Sequence, residues 1–356
     1  MKFFTIFFVL ITSLFGETIL KIATYNVENL FDLKKNGYEY SEYIPNTKSN
    51  WNRKSYKIKL NNLSKVITEI DADILALQEI ESLQALKDLR YTLKEKGLYY
   101  KYYKIANKKR TTIKVAILSK IPFVYTKELS VNPTYRYRNI LEAKFKIQNQ
   151  DLYLFVNHWK SKAGPESMRI VSAKKLRKRI KEIGEDKNII LLGDFNSDYE
   201  EYKKFKRKRK HNDTAGKSGI NHVLHTKNQT TKASQVKYEK NSFYNLWYDT
   251  KEENRYTYIF RGKKEALDNI IVSQSILEQN NIYYKYNSIS SYSPKYLFKG
   301  KNIYRWQTTW KKPRRHKGKG YSDHLAVTAE FIVKGTSKNP CILRAKKRDK
   351  IVQNFF

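Results

Sequence analysis

Cysteine is almost missing from this chain: Cys341 is the single one in 356 residues. That excludes an internal disulfide framework and any centre built on several thiolates. Glycine (13) and proline (seven) are scarce, and no Gly-Ser or Pro-rich stretch offers a linker, so one domain is expected rather than two. Acids are in short supply, 34 against 71 Lys and Arg, leaving a net charge of +37. So cationic a chain attracts polyanions, nucleic acid first and anionic membrane second. After the first 16 residues no apolar run approaches the ~20 residues of a membrane helix, so stable membrane insertion is not expected. A GxxxxGK[ST] phosphate loop and an HExxH zinc helix are absent as well.

What is present suffices for a large core, with 40% hydrophobic and 14% aromatic residues. Residues 1–16 read as a secretory signal: Lys2 as the basic start, an apolar Phe3–Phe15, and Gly16 as a small residue before a cut. Export to the periplasm or cell exterior is therefore expected, with a domain over 17–334 and a basic tail over 335–356.

The central stretch is Gly193-Asp194-Phe195-Asn196, which ends the run Ile189-Ile190-Leu191-Leu192. Four consecutive aliphatics predict a short strand buried on both faces. Asp194 and Asn196, two residues apart at its carboxyl end, then point to the same side. Four other predicted strands also carry polar groups at an end: Asn26 closes Ile19–Asn26, Gln78-Glu79 closes Asp73–Glu79, Leu152–Asn157 delivers Asn157-His158, and Asp323-His324 precedes Leu325–Val333. Asp268 opens a further strand, Leu267–Val272. Helices are predicted near Leu60–Ile70, Leu83–Leu93 and Ser167–Ile183, and strands at Leu98–Tyr103, Val115–Ser119, Phe123–Leu129, Asn139–Ile147 and Tyr256–Phe260. Asp198–Ser242 reads as a polar excursion and Asn281–Gly320 as a functional loop or surface cover. Carboxylates and carboxamides suit a hard, oxygen-seeking cation, and two imidazoles suit proton transfer.

TYNVEN, LQEIE, NHWKSK, GDFNSD, ALDNIIVS and YSDHLAV occur here in the order found in the endonuclease/exonuclease/phosphatase superfamily, which the chain resembles over roughly residues 20–333. NHWKSK and Leu246–Phe260 look most like its bacterial exported nucleases. The resemblance implies an α/β fold, a four-layer α-β-β-α sandwich with two mixed sheets of the deoxyribonuclease I type. It implies magnesium, with calcium or manganese as further candidates, held by Glu79 with Asn26 and Asp323. Asp194 and Asn196 would position or deprotonate the attacking water, and His158 and His324 would flank the phosphate. Asp268 would orient His324. Whether Asp194 or the Asp268–His324 pair is the base stays open. Some relatives hold the first histidine with a carboxylate from a middle strand, yet no Asp or Glu occurs from Lys96 through Lys127, so His158 has no obvious partner there.

Arg138, Lys160 and Lys162 are the candidate phosphate contacts, being near the site in sequence. Lys203–Lys210, Lys311–Lys319 and Arg344–Lys350 are basic clusters. Tyr283, Tyr284, Tyr286, Tyr296, Tyr304, Trp306 and Trp310 are candidates for stacking on bases. The resulting expectation is a monomeric, divalent-metal-dependent phosphodiesterase acting on nucleic acid: DNA with little sequence preference, and RNA as a further substrate. The alternatives are a sphingomyelinase or phosphoinositide phosphatase on the same scaffold, or a protein that binds nucleic acid without cutting it.

Overall fold

Runs that are apolar without interruption become central strands, and runs that alternate or show helical spacing become the layers around them. The computed structural model describes residues 17–335 apart from 206–209, 228, 230–231 and 237–240. The expected signal segment, the tail from 336 and part of the Lys203–Lys210 cluster lie outside the described residues.

In chain order the elements are β1 (Glu17–Leu30), α1 (Arg53–Ile70), β2 (Ile74–Ile80), α2 (Leu83–Glu95), β3 (Tyr102–Ile105), β4 (Lys114–Ser119), β5 (Phe123–Leu129), β6 (Ile140–Ile147), β7 (Gln150–His158), α3 (Glu166–Ile183) and β8 (Ile189–Asp194). A short α4 (Glu201–Lys204) follows, then β9 (Phe243–Asn245), β10 (Tyr258–Phe260), β11 (Lys263–Glu265), β12 (Asp268–Ser273), β13 (Ile282–Tyr284), β14 (Ser290–Tyr292), β15 (Phe298–Lys299), β16 (Asn302–Ile303) and β17 (Ala326–Lys334). One sheet has the order β13-β17-β1-β2-β4-β3, with β14 also on β17, and the other β5-β6-β7-β8-β12-β9. Each is mixed, through the parallel pairs β1–β2 and β7–β8.

The strand pleat assigns residues to layers. On β8, Ile190 and Leu192 join the core between the sheets, while Ile189 and Leu191 meet Ala173, Leu176 and Ile180 of α3. On β2, Ile74 and Ala76 face the other sheet, whereas Leu75 and Leu77 pack with Leu63 and Ile67 of α1 and Leu86 and Leu89 of α2. The result is the four-layer α-β-β-α sandwich that the resemblance implies. Asn52 caps α1, its side chain accepting from the backbone N–H of Lys54 and Ser55, and Ser82 caps α2 through Ala85 N.

Three expectations change, the first at Asn281–Gly320, which is not loop or cover throughout: it adds β13 and β14 to the first sheet and buries Tyr284, Leu297 and Trp306. The strand expected at Leu98–Tyr103 begins at Tyr102, because Leu98 and Tyr100 are buried in the core beside the helices instead. The Asp198–Ser242 excursion supplies core as well as loop, since Ile220 and Leu224 are fully buried with the α3 residues. Among the described residues no helix is long and apolar enough to cross a membrane.

Candidate active site

Strand direction brings the polar ends together. β1 and β2 run parallel, as do β7 and β8, while β17 opposes β1 and β12 opposes β8. Carboxyl ends of four strands and amino ends of two therefore meet at one end of the sandwich. Register then sets neighbours: His158 lies opposite Asp194, and Asp194 opposite Asp268. Residues in register project to the same face, so an imidazole and two carboxylates form a row across β7, β8 and β12. Gly193 permits this close pairing. At its φ of 128°, a Cβ would come within 2.1 Å of the Asn157 carbonyl oxygen.

The opposite wall is made where β1–β2 pairing slips, between Asn26 and Leu30. Glu28, Asn29 and Glu79 adopt left-handed φ values of 51°, 61° and 66°. Such conformations cost non-glycine residues about 1–3 kcal/mol each and collect at functional sites. Here they turn Glu79 so that its Oε2 accepts from Asn29 N at 2.9 Å and its Oε1 from Asn26 Nδ2 at 3.2 Å. Asn26 Nδ2 also donates to Asp194 Oδ2 at 3.1 Å, while Asn26 Oδ1 accepts from Glu28 N. Asn26 thus ties two carboxylates together and keeps its oxygen turned from them, which differs from the expected ligand role. Asn196 donates its backbone N–H to Asp194 Oδ1 at 2.8 Å and its amide to Oδ2 at 3.1 Å.

The two histidines differ in charge. His158 Nε2 lies 3.5 Å from Asp194 Oδ2 and 3.9 Å from Glu79 Oε1, and its buried Nδ1 has no hydrogen-bond partner among the described residues. Burial, reinforced by the charges of Arg138 and His324, holds its pKa well below 6.5, so it is neutral. His324 Nδ1 donates to Asp268 Oδ2 at 2.6 Å, and Thr257 Oγ1 donates to the same oxygen at 2.6 Å. Burial opposes charge on His324, but Asp268, then Asp194 and Asp323, outweigh it and hold the pKa well above the usual value. Burial also pushes Asp194 up to about 7, with His324 opposing and Asp268 adding, and raises Glu79.

These contacts test whether a divalent ion fits. Asp268 has His324 as counter-charge, and Asp323 has Arg305 Nη2 at 3.1 Å. Glu79 and Asp194 are held by neutral amides, with no Lys or Arg within ion-pair distance among the described residues. Buried carboxylates left in this state favour an oxygen-seeking cation. Asp268 Oδ1 is buried without a hydrogen-bond partner among the described residues, and ligand-type atoms of Asp194, Asp268 and His324 lie within 4.8 Å of one another. The donor set fits a hard divalent ion, with Glu79 and Asp194 as the uncompensated anions. Asp323 is engaged by a guanidinium instead of standing open.

All of this faces a basin of about 550 Å³ that Arg138, Lys162, Tyr258, Phe260 and Tyr40 also line. Arg138 is steadied by a hydrogen bond to the Trp159 carbonyl at 3.0 Å. Lys162 reaches the basin, but Glu201 at 2.9 Å and Glu265 at 2.7 Å already pair with its ammonium, so its charge is spent within the protein. Lys160 lies outside the lining. Asn157 is structural, donating to Phe155 O and accepting from Trp159 Nε1. Sequence reasoning did not single out Arg305, Thr257 or Tyr258. Thr257 and Tyr258 fall in a predicted strand whose partners no local pattern shows, and Arg305 lies in a Tyr/Lys/Arg-rich stretch where no residue stands apart.

Solved structures share this architecture. A humanised TDP2 from D. rerio aligns with a TM-score of 0.55 at 16% identity, covering 88% of this chain and 98% of that one. An endonuclease/exonuclease/phosphatase family protein from Bacteroides thetaiotaomicron aligns at 0.54 and 16%, covering 89% and 99%. A mannosyl-6-phosphatase from the same bacterium aligns at 0.51 and 16%, covering 88% and 99%. No curated protein sequence matches the chain. A family model described as endonuclease/exonuclease/phosphatase matches residues 21–333, and the chain belongs to that family.

Proposed function

We propose that the protein is an exported, divalent-metal-dependent nuclease that hydrolyses phosphodiester bonds of nucleic acid, acting on DNA with little sequence preference. One observation carries this reading: Glu79, Asp194, His158 and His324 line one basin, with Asp268 buried behind His324, in a chain of net charge +37. A structural neighbour, TDP2 from D. rerio, has been solved with a single-strand DNA product. That bound product supports nucleic acid here.

Magnesium, or calcium or manganese in its place, neutralises phosphate charge when bound and makes water easier to deprotonate. Glu79 and Asp194 would hold it. The histidine pKa values favour one assignment of the base. His324 already carries its proton at neutral pH, so it serves as a donor to the phosphate or the leaving oxygen. Asp194, oriented by the amides of Asn26 and Asn196, accepts the proton of the attacking water. His158, neutral, supplies a hydrogen bond without adding charge. Arg138 is the cation in the lining free to meet a phosphate.

The test offers plasmid DNA, single-stranded DNA, RNA, sphingomyelin vesicles and a sugar 6-phosphate, each with magnesium or with chelator. DNA cleavage abolished by chelator supports the proposal. Hydrolysis of lipid or sugar phosphate with DNA left intact overturns it. Export is checked by fractionating cells that express the full chain, and retention of the uncut chain in the cytoplasm would remove that part.

A further inference from the structure

Burial sorts the aromatic residues of the Asn281–Gly320 stretch. Tyr284 and Trp306 are core residues, whereas Trp310 is 95% exposed. Its exposure does not come from a loose loop. Trp306 Nε1 donates to His316 Nδ1 at 2.8 Å, so the other ring nitrogen carries the proton and donates to Glu42 O at 2.8 Å. Trp306 N donates to Glu28 Oε2 at 2.9 Å. Above this staple Thr308 bridges His316, Thr309 N donates to Arg315 O at 2.9 Å, and Arg315 N donates to Thr309 Oγ1 at 2.9 Å. A pinned hairpin thus presents one bare indole.

Beside that indole lies a groove of about 280 Å³ lined by Asn29, Tyr43, Arg305, Trp306, Trp310 and Arg314, among others. It adjoins the catalytic basin: Asn29 lines both, and Arg305 joins Glu28 of the groove to Asp323 of the basin. Lys311, Lys312, Arg314 and Arg315 are exposed around it. An aromatic face with cations beside it is the arrangement that holds single strands, because an unpaired base offers its π-face while a duplex hides it.

We propose that this groove is a base subsite, in which Trp310 stacks on one unpaired base of a single DNA strand whose backbone passes Arg314 on its way to the basin. The proposal rests on the nuclease reading and sharpens its substrate to a single strand or a locally opened one.

The experiment measures binding of a labelled oligothymidylate of about 12 nucleotides, and of a blunt duplex of equal length, by anisotropy in chelator. Trp310→Ala, Trp310→Phe and, as a remote exposed control, Tyr91→Ala are compared with the unaltered protein. Trp310→Ala is expected to weaken single-strand binding about tenfold, Trp310→Phe to regain most of it, and the duplex to change less than about twofold. Tyr91→Ala should match the unaltered protein. Single-strand binding unchanged in Trp310→Ala, or single strand and duplex weakened equally, overturns the subsite. DNA cleavage by a protein whose single-strand binding ignores Trp310 removes the subsite and leaves the nuclease. Trp310-dependent binding without cleavage of any nucleic acid does the reverse.

Discussion

The buried carboxylates of the basin fall into two sets, which the fold treats in opposite ways. In one set each acid has a cation within ion-pair distance: Asp268 has His324, and Asp323 and Glu28 share Arg305. In the other, Glu79 and Asp194 accept from the amides of Asn26, Asn29 and Asn196, with neutral His158 beside them and no Lys or Arg within ion-pair distance among the described residues. Amides orient a carboxylate without cancelling its charge, so burial raises the pKa of both acids. The first set is ion-paired as the chain folds, and the second has no cation in direct contact among the described residues.

The largest expected effect follows from neutralising either acid of the amide-held pair. Asp194→Asn or Glu79→Gln should lower kcat on DNA by about 10²- to 10⁴-fold. Each removes a buried charge with no cation in contact but leaves one N–H donor without an acceptor, so the melting temperature in chelator should change little. A marked loss of stability would show that these acids are structural and end the contrast.

Asp268→Asn should do the opposite to stability. It leaves the His324 imidazolium buried without its partner, at a cost of about 3–5 kcal/mol, read from denaturant unfolding. A variant as stable as the parent would show that the pair is dispensable to the fold.

Metal should act on the amide-held pair, and in a pH-dependent way. Asp194 has its folded pKa raised from 3.8 to about 7. Below 3.8 both states are protonated. Between 3.8 and 7 the unfolded chain ionises first, so the folded state binds more protons and metal-free stability falls as pH rises, levelling off above about 7. Magnesium at about 100-fold over its dissociation constant should return about 2.7 kcal/mol at pH 8, with a smaller gain at pH 5.5 where protons compete. An equal gain at both pH values would place the ion elsewhere.

The smallest effect belongs to Arg305, whose side chain is about half exposed. Arg305→Gln should cost at most about 1 kcal/mol of stability. Cleavage should still become slower or less metal-selective, since Asp323 is then released from its ion pair.

Much of this was legible in the sequence where burial leaves a pattern. Ile189–Leu192 reads as a strand because both faces are covered, and Asp194 therefore falls at its end. Apolar spacing marked the helices over Leu60–Ile70 and Ser167–Ile183, while the first two turns of α1, from Arg53, carry too few apolar residues to show it. Convergence of the polar ends was legible only through family resemblance, since nothing local says that β7, β8 and β12 are neighbours. Contacts with no repeating pattern were hidden. Arg305 meets Glu28 across 277 residues of chain, and the commitment of Lys162 to Glu201 and Glu265 could not be told from an open cation by composition. Ile220 and Leu224 sit in a single wide turn, too short to show a period.

The row His158–Asp194–Asp268 makes the reactive centre hostage to strand counting. Because neighbouring positions on a strand face opposite ways, inserting or deleting one residue within β7 or β8 would swing its contribution into the helix-facing layer. The hairpin tip at Gln148–Asn149, already in left-handed conformation outside the paired strands, can absorb such a change with the row undisturbed. Length variation in this part of the chain is therefore tolerated at the turn and prohibited within the strands.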